Sequence, residues 1–176
     1  AKAMADAAKY GDDILVEEFV NGMELTVGIL NDQALPVVHI IPPEGVYDMA
    51  DLARATEKMA GFVSGMAGQG ASLALGYSNG ANIIASVLFA HPGSFAAAVL
   101  AHPLIPFEPA PQPGLAGKRI LITAGRRDPI CPVPQTQALA DWLKGQGADV
   151  TLFWHDGGHE LRQEELLAMR DFFAAA

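Results

Sequence analysis

Cysteine occurs once in the 176 residues, at Cys131. That rules out an internal disulfide and a thiolate cluster for zinc, and it fits a reducing compartment, so a cytoplasmic protein is expected. Charge is also scarce: 18 % of residues are charged, the formal net charge is −9, and no Lys/Arg cluster interrupts the acidic balance. Such a surface repels phosphate backbones and anionic headgroups, which excludes nucleic acid and membrane surfaces as partners. No apolar run reaches the ~20 residues that span a bilayer. The stretch AKAMADAAKYGDD has neither the basic start nor the apolar centre of a signal peptide. The five histidines lack ligand spacing on a shared element, so neither a metal nor a cofactor is expected. What is abundant is apolar surface, at 51 % of residues. This is enough for one well-buried core, and disorder is excluded.

The chain changes period near its first quarter. Ala1 to Tyr10 is an Ala-rich helical stretch stopped by Gly11. Three β-type runs follow, Ile14 to Val20, Glu24 to Leu30 and Ala34 to Ile41, separated by the turn formers Asn21-Gly22 and Asn31-Asp32, and they predict an antiparallel meander. From Met49 the segment DMADLARATEKMAGFVSGMAGQG has apolar residues at helical spacing and ends in glycines. Apolar strands and amphipathic helices then alternate: ASLALGYS, GANIIASVLFAHPG, FAAAVLAHPL, KRILITAG, PQTQALADWLKGQG, DVTLFWHDG and EELLAMRDFFAAA. This order predicts an α/β fold, a parallel sheet with helices on both faces. PFEPAPQPG, Pro106 to Gly114, is expected to be an extended loop.

Three strand ends carry chemistry-bearing residues. Gly76-Tyr77-Ser78-Asn79-Gly80 fits G-x-S-x-G between a strand and a helix. There a serine takes a strained backbone conformation, and flanking glycines avoid Cβ clashes. Asp128 follows the strand ILIT in Ala124-Gly125-Arg126-Arg127-Asp128-Pro129, and taken alone it is equally a turn aspartate before proline. His159 lies in His155-Asp156-Gly157-Gly158-His159-Glu160, after TLFW. A neutral histidine can take the serine proton when a carboxylate fixes its tautomer. His159, on the Gly-Gly turn, is the better base than His155 at the strand's end. Open α/β sheets place their sites at the carboxyl ends of strands, and the chain order Ser78, Asp128, His159 is that of a serine hydrolase.

GYSNGANI, LITAGRRDPICP and LFWHDGGHEL together resemble the carboxylesterase/phospholipase branch of the α/β-hydrolases, over about Asp51 to Phe173. The resemblance implies hydrolysis of a small acyl ester through an acyl-enzyme on Ser78, with His159 as base and Asp128 orienting it. It also implies the backbone N–H of Asn79 as an oxyanion donor. Leu104, Ile105 and Phe107, just past another strand end, line an acyl pocket or are ordinary loop packing. The family's upstream strands, with the loop that gives a second oxyanion N–H, have no counterpart in this chain, which implies weak turnover.

Residues 1–48, with ILVEEFVNGMELTVGIL and ALPVVHIIPPEGVYD, are similar to a central fragment of D-alanine–D-alanine ligase, an ATP-grasp family. The resemblance implies an adenine-side stretch from Glu17 to Val20 and a ribose-holding Glu24. The phosphate-binding and magnesium-binding parts are absent, so Glu17, Glu18 and Glu24 read better as solvent-facing carboxylates, and ligase activity is not expected. Two truncated resemblances meeting near Met49 point to a chimera, engineered or recombined, with a ligase-derived segment at 1–48 and a hydrolase-like segment at 49–176 in one compact domain. Its alternative function is that of a folded scaffold without physiological activity. The strand carrying Ser78 would lack a neighbour on one side. Either the meander caps that edge, making a mixed sheet, or the edges of two chains pair as a homodimer.

Overall fold

The computed structural model describes strand segments at 24–26, 29–30, 33–34 and 38–40, a helix at 49–65, and residues 73–105, 107 and 109–175. The chain divides into two compact units, Ala1–Val46 and Tyr47–Ala176. In the first, β1 (Glu24–Thr26) pairs antiparallel with β4 (Val38–Ile40), and β2 (Ile29–Leu30) with β3 (Gln33–Ala34). These pairs fall in the runs expected to be the second and third strands of the meander. The first strand, the Ala1 to Tyr10 helix and the junction of the meander with the parallel sheet lie outside the described residues.

The second unit runs α1 (Met49–Gly65), β5 (Leu73–Tyr77), α2 (Asn79–Ala90), β6 (Ala97–Ala101), β7 (Arg119–Gly125), α3 (Val133–Gly145), β8 (Asp149–His155) and α4 (Gln163–Ala174). Among the described residues its four strands are parallel and lie in the order β5-β6-β7-β8. The continuous apolar runs are explained by burial on both faces: all five residues of β6 are buried, as are six of the seven in β7. Alternate residues supply two cores. Ala98, Leu100, Ile120 and Ile122 pack with Ala85 and Leu88 of α2 and Leu139 and Leu143 of α3. Val99, Ala101 and Leu121 face Met169 and Phe172 of α4. Each fully buried Leu or Ile contributes roughly 1.5–3 kcal/mol.

The order of the strands explains the layering. A chain stepping across a parallel sheet in one direction, through right-handed connections, leaves those connections on one face. That face receives α2 and α3, and α4 closes the other, packing over β7 and β8. Leu73, Leu75 and Tyr77 of β5 share the α4 side, since they pair with Ala97, Val99 and Ala101. They stay 48 %, 54 % and 39 % exposed.

The Pro-rich loop is folded at its end rather than extended. Gln112 Nε2 donates to the Phe89 carbonyl at 2.7 Å, and a single 3-10 turn at Pro113–Leu115 buries Leu115. The side-chain amide supplies hydrogen bonds that proline nitrogens cannot make.

Candidate active site

The strand ends converge. Ser78 turns the chain from β5 into α2 with φ 54° and ψ −119°, in the left-handed half of backbone space that a non-glycine residue occupies only when its surroundings hold it there. They do: Ser78 N–H donates to the Ala101 carbonyl at 2.8 Å, and Asn82 N–H donates back to the Ser78 carbonyl at 3.1 Å. Gly76 is required by close approach, because a Cβ there would lie 2.5 Å from the Gly80 carbonyl. Gly80 has open space where its own Cβ would be, so the steric reading of the motif holds for its first glycine and not its second.

Ser78 Oγ lies 2.9 Å from His159 Nε2, and His159 Nδ1 lies 2.8 Å from Asp128 Oδ2. Tyr77 donates its hydroxyl to the His159 carbonyl at 2.6 Å, and its ring sits 5.3 Å from the imidazole, steadying it from one side. The turns after β7 and β8 are sewn together: Arg126 N–H donates to the His155 carbonyl at 2.8 Å and Arg127 N–H to the Gly157 carbonyl at 2.9 Å. Gly125 permits this, since a Cβ there would fall 2.0 Å from the Gly158 carbonyl oxygen. That approach brings Asp128 within reach of His159.

Asp128 is fully saturated. Its Oδ1 accepts the N–H groups of Ile130 at 2.8 Å and Cys131 at 2.9 Å, while Oδ2 accepts from His159 and from a second histidine, His102, at 2.8 Å. Burial alone would raise its pKa, but the hydrogen bonds from Cys131, His102, His159 and Ile130 prevail and hold it at about 2, so the group is a carboxylate. Cys131 is no rival nucleophile: burial and the Asp128 charge push its thiol up to about 12.

Asn79 is the first residue of α2, and its N–H is among the unpaired donors that open any helix, pointing the positive end of the helix dipole toward Ser78. Ile105 and Phe107 line a hollow of about 510 Å³ with Pro109, Leu139 and Trp142. Leu104 is not in that lining; its N–H donates to Asn82 Oδ1 at 2.7 Å, tying the loop after β6 to α2. Nor do Ser78, Asn79 or His159 line it.

Sequence reasoning missed the residues behind Asp128. His102 Nε2 lies 3.1 Å from Glu165 Oε1, and His155 Nε2 lies 3.1 Å from Glu165 Oε2. All three are buried. His102 follows β6 as Ser78 follows β5, so the strand-end rule applied to AHPL would have found it. Nothing in EELL marks Glu165 as inward-facing. Among the described residues two groups bring metal-type donor atoms together: His102, His155 and Glu165, and His102, Asp128 and His159. The first does not fit a cation. His155 Nδ1 accepts the Gly157 N–H at 2.9 Å, so its proton is on Nε2, the atom a metal would need bare.

Known proteins divide along the same line as the sequence. The Dienelactone hydrolase family matches residues 52–165, and the D-ala D-ala ligase C-terminus matches residues 1–64. MhqD of Bacillus subtilis is 37 % identical over 76 % of this chain and 69 % of its own length. A structure of a protein of unknown function from Agrobacterium tumefaciens is 52 % identical, with a TM-score of 0.68 over 77 % of this chain and 68 % of that one. The Bacillus cereus carboxylesterase is 36 % identical, with a TM-score of 0.65 over 76 % of this chain and 66 % of that one. At the other end, the D-alanine–D-alanine ligase of Aquifex aeolicus is 58 % identical over 24 % of this chain, which spans 15 % of that ligase. The two family matches overlap at 52–64, inside α1. The chain is thus a chimera, and it belongs to the Dienelactone hydrolase family, carried behind a segment of D-alanine–D-alanine ligase type.

Proposed function

We propose that the protein is a serine esterase acting on small carboxylic esters, with Ser78 as nucleophile, His159 as general base and then acid, and Asp128 as the group that orients the imidazole. The observation that carries this reading is the unbroken relay from Ser78 Oγ through His159 to Asp128, with contacts of 2.9 and 2.8 Å. Family membership and the carboxylesterase neighbour support it. Ser78 Oγ attacks the ester carbonyl carbon as its proton passes to His159 Nε2, and the carbonyl oxygen becomes an oxyanion facing the Asn79 N–H. Collapse breaks the carbonyl carbon–alkoxy oxygen bond, and the His159 proton leaves with the alcohol. Water, deprotonated by the same imidazole, then releases the acid and restores Ser78.

Turnover is expected to be slow, because one oxyanion donor in place of two costs about 10²- to 10³-fold. The competing reading, a scaffold without physiological activity, is favoured by the position of the hollow at Ile105 and Phe107, whose lining omits Ser78. Hydrolysis of a short-chain chromogenic ester by the protein and by Ser78→Ala separates the two. Turnover lost on substitution supports the esterase, and equal rates in both support the scaffold.

The same reading includes a homodimer. Among the described residues β5 pairs only with β6 and presents Leu73, Leu75 and Tyr77 to solvent. Two copies joined along this strand would cover both edges. Light scattering is expected to give twice the chain mass, and a monomer at all concentrations would count against it.

A further inference from the structure

We propose that His102 is a positioning residue of this hydrolytic site: an imidazolium buried behind Asp128 that holds the carboxylate toward His159 and sets the pH range over which the relay works. The inference rests on the esterase reading for its catalytic consequence, and on proton accounting for the charge itself.

Asp128 takes four donors and is ionised. Glu165 Oε2 accepts the Arg162 N–H at 2.8 Å as well as His155 Nε2, whose proton is fixed there by the Gly157 N–H on the opposite ring nitrogen. Glu165 Oε2 is therefore an acceptor, and the lowered pKa of the group leaves Oε1 without a proton as well. His102 lies between them, Nδ1 at 2.8 Å from Asp128 Oδ2 and Nε2 at 3.1 Å from Glu165 Oε1, with no exposed side-chain surface. His155 Nε2 lies 3.5 Å from His102 Nε2, but its proton is engaged by Glu165 at 3.1 Å, so a neutral His102 would aim a lone pair at one of two carboxylates, and both its nitrogens carry protons. Burial opposes a charge on His102, yet the hydrogen bonds to Glu165 and Asp128 outweigh it and raise its pKa. Glu165 is lowered against the same burial penalty, chiefly by His102, so the two partners agree in direction.

The backbone is committed to this placement. His102 sits at φ 51°, held by its N–H on the Thr123 carbonyl at 2.8 Å and by the Cys131 thiol donating to its own carbonyl at 3.2 Å. Its ring meets Tyr77 edge-on at 5.7 Å and His159 at 5.1 Å. The groups facing it are thus Asp128, Glu165, His155, His159, Tyr77 and Cys131, and two carboxylates flank one cation, leaving the cluster with a net negative charge. That cation shares an oxygen with the catalytic imidazole. It therefore restrains where the oxygen points and opposes a second positive charge on His159.

His102→Asn isolates the charge, because asparagine tolerates positive φ and its amide still offers a donor to Asp128. Two measurements test the proposal. Nitrogen-15 spectra of histidine-labelled wild-type protein, taken without substrate from pH 5 to 9, are expected to show one imidazolium that keeps both ring N–H groups above the ordinary histidine pKa. In His102→Asn the acid limb of kcat/KM is expected to move up by roughly one unit, with KM unchanged. A neutral His102 tautomer at pH 7, or pH profiles that superimpose, would overturn the proposal. Loss of esterase activity in the wild type leaves the spectral result standing, so the two readings fail separately.

Discussion

Asp128 has two neighbourhoods that share one oxygen. On the outer side stand His159, whose side chain is 18 % exposed, and the half-buried Ser78. On the inner side stand His102, Glu165 and His155, none more than 4 % exposed. In the proposed reaction the protons on the outer side must move, so its hydrogen bonds run through groups open to substrate. On the inner side water is excluded, and every donor must find its acceptor inside the protein. On the proposed reading the outer half supplies the chemistry and the inner half keeps the carboxylate charged and aimed.

Breaking the outer half should have the largest effect. Ser78→Ala is expected to take ester hydrolysis to background, and Asp128→Asn to lower kcat by about 10⁴-fold through the wrong histidine tautomer; steady-state kinetics on folded protein checks both. Breaking the inner half should act first on stability. Glu165→Ala leaves a buried imidazolium with one partner, and denaturant unfolding is expected to show a loss of about 3–5 kcal/mol. Gly125→Ala tests the seam between the halves. Its methyl must displace the Gly158 carbonyl, and an ångström-scale shift of His159 is expected to cost about 10²-fold in kcat.

Acid sharpens the comparison with a smaller effect. The Asp128 pKa is depressed from 3.8 to about 2, so its contribution to stability is complete above 3.8 and disappears as pH falls toward 2. The shift corresponds to roughly 2 kcal/mol. For His102, raised above its ordinary 6.5, the sign reverses: the contribution is complete below 6.5 and is lost as pH rises through the folded value. Unfolding free energies measured across pH should therefore fall on both sides, and Asp128→Asn should flatten the acid side.

The outer half was legible in the sequence because its residues sit in turns with local signatures. A strand followed by G-x-S-x-G, and two strands ending in Gly-containing turns, specify where Ser78, Asp128 and His159 emerge, and the alternation of elements from Met49 onward specifies the sheet that gathers them. The inner half was hidden because it depends on tertiary pairing. Glu165 occupies a helix position that an apolar residue would fill, and only the approach of α4 to β7 and β8 gives it two histidines. Leu104, Ile105 and Phe107, expected to line an acyl pocket or to be ordinary loop packing, fall between these cases. Their position after β6 was readable, but which way the loop turned was not: Ile105 and Phe107 face the hollow, while Leu104 is held by Asn82.

The central claim is that Ser78 is an activated nucleophile. Treatment with a small fluorophosphonate, followed by intact and peptide mass spectrometry, tests it without depending on turnover. The account predicts one phosphonyl adduct per chain on Ser78, formed in the wild type and absent in His159→Ala. A chain left unmodified, or labelled equally in both proteins, would contradict it.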